Sequence, residues 1–339
     1  MAAKAILRAM VRGWIRTGLW FRYRKVQIVF HSPLPLDGRA ILAGNHQNAM
    51  LDSITLAACS PRAPFTLSRG SLFQGKISRW LLASLQMVPI YRFRDGFRRM
   101  RENPEVFQGF VDLLRDDEWL LIFPEGSHDL RYTLRPFQKG VARIAFAAQV
   151  DQDWSQDIPI YPVGLQYESH TTFGGRLLIQ YGHPVSSLAY REVHSENPKE
   201  AERALTKELF KEMEGLLILP PQEDEAYEKA LRRWSGNKGR FPDLMEQFRA
   251  DENLMARELG AAAQAAGQES GGPSKEDPSE SPVASSSRSG PSRPRPFVRT
   301  LKRVAGYTLS LPGVVLHLPV ILLTLTLQRL LIKLSLIHI

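Results

Sequence analysis

Ala40-Ile41-Leu42-Ala43-Gly44-Asn45-His46-Gln47-Asn48-Ala49-Met50-Leu51-Asp52 opens as a short apolar run, passes through Gly44 and Asn45, and enters Leu51 to Ala58, a stretch patterned as the start of a helix. Strand, turn and helix in that order make the unit from which α/β sheets are built. Side chains carried in such a turn are exposed yet held by a rigid scaffold. His46 and Asp52 stand at either side of this one. A neutral imidazole can take a proton from an alcohol when a carboxylate on its other ring nitrogen fixes the tautomer and stabilises the imidazolium that forms. Six positions along one straight helix would leave the two side chains about 120° apart in azimuth and ~9 Å apart along the axis. The pairing therefore requires His46 to lie in the turn before the helix, and Gly44 and Asn45 suit such a turn.

Working outward, Trp119 to Phe123 is a second apolar run of strand length, stopped by Pro124-Glu125-Gly126-Ser127. Val26 to Phe30, Phe65 to Leu67, Val88 to Tyr91, Ile160 to Gln166 and Leu177 to Tyr181 also read as strands. Between them Leu51 to Ala58, Ile77 to Leu85, Pro104 to Leu114 and Gly140 to Ala148 read as helices. This alternation predicts an α/β fold with a mostly parallel sheet flanked by helices. Two charged segments, Lys199 to Met213 and Asp224 to Trp234, read as further helices on the surface.

The net charge of +9 raises the question of a nucleic-acid partner, and its location answers it. Residues 1–25 hold Lys4, Arg8, Arg12, Arg16, Arg22, Arg24 and Lys25 with no acid, so the basicity belongs mostly to a terminal arm and no nucleic-acid partner is expected. Lys4, Arg8, Arg12 and Arg16 recur every four residues, apolar residues fill the other faces, and Trp20 closes the segment. That pattern predicts an amphipathic helix suited to an anionic bilayer surface, or packed on the catalytic domain. Near the other end, 261–297 is dominated by small, polar and Pro residues and predicts a disordered linker. Val304 to Gln328 then runs 25 residues without a charge, enough for a ~30 Å hydrocarbon core although Pro312 and Pro319 would bend it. Leu334 to Ile339 resembles one reading frame of a common sequencing adapter, which would place the natural C-terminus elsewhere. Cys59 is the single cysteine, which excludes a disulfide within the chain and a Cys-based zinc cluster. No Gly-x-Ser-x-Gly is present, and Ser127-His128-Asp129 cannot form a triad by adjacency, because consecutive side chains diverge.

Four blocks taken together carry a resemblance: Asn45-His46 with Asp52; Val88-Pro89-Ile90-Tyr91-Arg92; Phe123-Pro124-Glu125-Gly126; and Ile158-Pro159-Ile160-Tyr161-Pro162-Val163-Gly164. In order and spacing they resemble the glycerolipid acyltransferase family, which includes 1-acylglycerol-3-phosphate acyltransferases and glycerol-3-phosphate acyltransferases, and the likeness spans roughly residues 10–215. It implies acyl transfer from acyl-CoA or acyl carrier protein to the hydroxyl of lysophosphatidate or glycerol 3-phosphate, with no cofactor. His46 would be the general base, Asp52 its orienter, Arg92 the phosphate ligand, and Glu125, Gly126 and Ser127 substrate-binding residues. It also implies membrane lipids as partners and a membrane location with the catalytic domain on the cytoplasmic face. Most of the family separates the His and Asp by four residues; here five intervene, a variant resembling bacterial and fungal glycerol-phosphate acyltransferases. Remodelling of lysophospholipids, and a non-catalytic lipid-binding role, are the alternatives. The domain plan is a surface helix at 1–25, a catalytic domain at 26–218, a helical extension at 219–260, a linker at 261–297 and a hydrophobic membrane segment at 298–339.

Overall fold

The computed structural model describes residues 2–69, 75, 76, 79, 82, 83, 86–90 and 104–269. Among the described residues eight strands form one sheet: β1 (Tyr23–Phe30), β2 (Ala40–Gly44), β3 (Phe65–Arg69), β4 (Met87–Ile90), β5 (Trp119–Ile122), β6 (Pro159–Tyr167), β7 (Gly175–Tyr181) and β8 (Val185–Ser186). Their order is β1-β7-β6-β2-β5-β3-β4, with β8 pairing the start of β6. From β6 to β4 every neighbouring pair is parallel. The pair β1–β7 is also parallel but runs against the rest, because β6 and β7 are antiparallel neighbours. A short connection between successive strands can join only an antiparallel pair, so the sheet is mixed rather than uniformly parallel.

The central strands are buried on both faces, as the unbroken apolar runs of β2 and β5 require. Alternation along each strand divides the core in two. Ile41, Ala43, Leu120 and Ile122 face α3 (Pro104–Arg115), α4 (Gly140–Asp151) and α6 (Pro198–Glu214), which follows the short α5 (Arg191–Glu196). Ala40, Leu42, Trp119 and Leu121 face the opposite way, toward α1 (Ala2–Arg22) and α2 (Met50–Cys59). A third cluster joins Leu178 of β7 to α7 (Asp224–Asn237) and α8 (Leu244–Glu269) through Trp234, Phe248 and Met255.

The structure corrects the sequence reading in several places. The two charged helices are integral rather than superficial: α6 buries Ala201, Leu205, Leu209 and Met213, and α7 buries Tyr227, Ala230 and Trp234. Apolar residues four apart in α6, and three then four apart in α7, give each a narrow inward stripe that the high charge content hides. The helix α8 continues to Glu269, beyond residue 261 where composition starts the linker, because Ala261 to Ala263, Ala265 and Ala266 are strong helix formers.

The basic arm ends at Arg22, and its cations do not form a free face. Arg16 Nε donates to the Ala58 carbonyl at 2.7 Å, and Arg12 donates to the carbonyls of Ala58 and Ser60. These are orphan acceptors at the negative C-terminal end of α2, where guanidinium is favoured. Ile6, Met10, Trp14, Trp20 and Phe21 are exposed, and at 100° per residue they fall within an arc of about 120°. Among the described residues no helix is long and apolar enough to cross a membrane. Arg92 and Tyr91, the rest of the Ile77–Leu85 helix, the linker from residue 270, the apolar run Val304–Gln328 and the adapter-like end all lie outside the described residues.

Candidate active site

Parallel pairing of β2 with β5 sets Ala43 beside Ile122. His46 and Glu125 each come three residues later, so both chemistry-bearing turns emerge side by side at the carboxyl ends of adjacent strands, the usual ligand crevice of an open α/β sheet. They are joined directly. The Glu125 carboxylate accepts the His46 backbone N–H at 2.7 Å through Oε1 and the Arg135 backbone N–H at 3.2 Å through Oε2. Both oxygens of this buried carboxylate are thus engaged by main chain, which makes Glu125 a clamp on the histidine turn. Burial pushes its pKa up, against the two N–H donors and the nearby His46.

His46 lies in the turn before α2, as the spacing requires, and Asp52 lies in the first helical turn. The ring Nδ1 is 3.0 Å from Asp52 Oδ2. With Nδ1–H donating to the carboxylate, Nε2 keeps its lone pair and makes no hydrogen bond among the described residues. Asp52 is fully buried and takes two more donors, the Asn48 backbone N–H at 2.7 Å on Oδ2 and the Tyr167 hydroxyl at 2.6 Å on Oδ1. Between these groups Ala49 adopts φ 49°, a left-handed excursion that turns the chain sharply into the helix.

Phe123 stacks on the His46 ring at 4.2 Å between centroids, and His128 meets it edge-on at 5.5 Å. Gly44 makes the stacking possible: a Cβ there would lie 2.9 Å from the Phe123 ring and 3.1 Å from Leu56. Gly126 holds the tight turn after Glu125 with φ +72°. Ser127 is exposed at the rim, and its Oγ accepts from the Arg135 guanidinium at 2.8 Å.

Several participants escaped the sequence reading. Asn45 reads as a turn former, but its side chain is buried and bonds both main-chain groups of Leu165, donating at 3.3 Å and accepting at 2.7 Å, so it staples the histidine turn to β6. Gln47 accepts from His170 Nε2 at 3.1 Å and donates to the Thr133 carbonyl at 3.1 Å. Since the Gln47 amide nitrogen is the donor to Thr133, its oxygen faces His170, which fixes the proton on Nε2. Burial lowers the His170 pKa to about 4 and keeps the ring neutral. Tyr167 could be suspected only from a rule of partnership, since a tyrosine in a buried strand needs somewhere to send its hydroxyl.

A family model described as Acyltransferase matches residues 25–166. The chain is 32% identical to Glycerol-3-phosphate O-acyltransferase 2 of Saccharomyces cerevisiae over 145 residues, which is 42% of this chain and 19% of that protein. The chain therefore spans about a fifth of the length of this curated relative. Among solved structures it is similar to the 1-acyl-sn-glycerophosphate acyltransferase PlsC from Thermotoga maritima, at 16% identity and a TM-score of 0.43, over 62% of this chain and 81% of that one. The base, its carboxylate and the Glu-Gly turn, assembled at adjoining strand ends, all lie inside residues 25–166, the segment that is similar to acyltransferases.

Proposed function

We propose that this chain transfers an acyl group from an acyl thioester to a hydroxyl of glycerol 3-phosphate at a membrane surface. The observation that carries the reading is the His46–Asp52 pair, whose geometry leaves Nε2 as the basic edge of the site. Nε2 takes the acceptor's hydroxyl proton as its oxygen attacks the thioester carbonyl, and the new C–O bond produces a tetrahedral oxyanion. Collapse breaks the C–S bond, and the imidazolium returns its proton to the departing thiolate. No covalent enzyme intermediate is required.

Glycerol 3-phosphate is favoured as acceptor by the six-residue step from His46 to Asp52 and by the name of the yeast relative. Arg92 and the exposed Arg135, which already reaches Ser127, are the guanidinium groups we assign to the acceptor phosphate. Lodging at the membrane is assigned to the outward apolar stripe of α1, since Trp and long aliphatic side chains suit the headgroup boundary.

An assay of membranes containing the full chain tests this, with labelled acyl-CoA or acyl carrier protein offered beside glycerol 3-phosphate, lysophosphatidate or a lysophospholipid. Preferential, acceptor-dependent transfer to glycerol 3-phosphate is expected. Thioester cleavage that ignores the acceptor, or preference for a lysophospholipid, would contradict the assignment.

A further inference from the structure

We propose that Tyr167 is a positioning residue for the general base, holding the Asp52 carboxylate in the one rotation that keeps the His46 ring in its working tautomer. This rests on the reading of His46 and Asp52 given above and deepens it. β6 outlasts β2: their register pairs Gly44 with Val163, and β6 runs on to Tyr167 beside the histidine turn. Tyr167 stands one residue beyond the segment the family model matches.

The division of donors on the carboxylate gives the role. Oδ2 receives both His46 Nδ1–H and the Asn48 backbone N–H, whereas Oδ1 receives the Tyr167 hydroxyl at 2.6 Å, its single recorded partner among the described residues. A carboxylate bonded through one oxygen can swing about its Cβ–Cγ bond. A short, charge-assisted bond to the second oxygen stops that swing. Tyr167 is itself immobile: it is fully buried, and its ring is 6.1 Å from Tyr23 and 5.4 Å from His170. Burial foremost, then the Asp52 charge, raises its pKa well above the ordinary value, so the hydroxyl keeps its proton and remains a donor.

The bond also tunes the base. By drawing charge from Asp52 it weakens the carboxylate's hold on a protonated His46, and its removal raises the pH at which the base becomes available. Other titratable groups around the trio are Tyr23 from β1, His170 beyond β6, and Glu125, His128 and Asp129 from the turn after β5. They are common to wild type and variant.

The test is Tyr167→Phe in the full chain, assayed in membranes with acyl-CoA and glycerol 3-phosphate. Expected are a fall in kcat on the order of tenfold or more, little change in either KM, and an acid limb of kcat/KM moved to higher pH. In an Asp52→Asn background the same substitution should cost far less, since the carboxylate through which it acts is gone. An unchanged kcat, an unmoved acid limb, or an equal loss in the Asp52→Asn background would overturn the proposal. If Tyr167→Phe does not fold, a ring-fluorinated tyrosine at 167 keeps the shape and donates more strongly. It must then move the acid limb to lower pH, and an unmoved limb overturns the proposal. Wild-type turnover by His46→Ala would instead defeat the underlying mechanism, whatever Tyr167 does.

Discussion

Glu125 shows at the scale of one residue how burial recruits a carboxylate to the main chain. A carboxylate next to a catalytic turn reads naturally as a substrate ligand, yet both of its oxygens accept backbone N–H groups. Glu125→Gln offers one acceptor oxygen in place of two, so one of those amides loses its partner, at a cost of about 1–3 kcal/mol. We expect lower thermal stability and a lower kcat with the KM of donor and acceptor moving together. A rise confined to the acceptor KM would return Glu125 to substrate binding. Arg135 supplies the contrasting case. Its guanidinium is exposed beside Ser127, and Arg135→Ala should raise the acceptor KM well above any change for the donor. Gly44→Ala tests the support under the ring: the added methyl must displace Phe123 or Leu56, at about 1–3 kcal/mol. Unchanged stability and activity would show that the stacking is incidental.

Among the elements, α1 departs most from its sequence pattern. Cations spaced by four suggested a face toward anionic lipid or packing on the domain; Arg12 and Arg16 take the second course and cap α2, and the exposed stripe of Ile6, Met10, Trp14, Trp20 and Phe21 is apolar. Vesicle binding through α1 should therefore depend on Trp14 and Trp20 more than on salt. Replacing both with Ser should weaken binding to neutral and anionic vesicles alike while leaving the melting temperature unchanged, and dissociation by salt alone would restore the electrostatic account. The β6–β7 connection carries a pH dependence through His170. Its folded pKa, about 4, lies below the unfolded value, so its contribution is complete above about pH 6.5 and is lost as pH falls from there toward 4. Denaturant unfolding of wild type and His170→Gln across that window should show a wild-type loss, on the order of 2–3 kcal/mol, that the variant lacks. The strands were legible because buried parallel strands are continuous apolar runs, and the His46–Asp52 pairing because the turn geometry allowed only one arrangement. Asn45, Gln47 and Tyr167 were hidden, since their partners are main-chain groups or side chains more than 80 residues away in the chain. No local pattern records such contacts.

For the molecule as a whole, the fold is not finished where the segment matching the acyltransferase model ends. The helices α7 and α8 cover Tyr132, Leu178 and Ile218, and the Tyr227 hydroxyl accepts the Tyr132 backbone N–H at 3.0 Å on the loop leading back to Glu125. A chain ending at residue 218 should therefore lose cooperative unfolding and transfer together, whereas one ending at 270 should keep a cooperative transition. Equal stability of the two would show that the helices are an accessory layer. The central claim, that the turn between β2 and α2 carries the base, is tested most directly by the rate of acyl transfer to glycerol 3-phosphate in membranes holding equal amounts of wild type and His46→Ala. A loss of about a hundredfold or more with unchanged melting temperature is the predicted result. A rate close to wild type in the folded variant would contradict it.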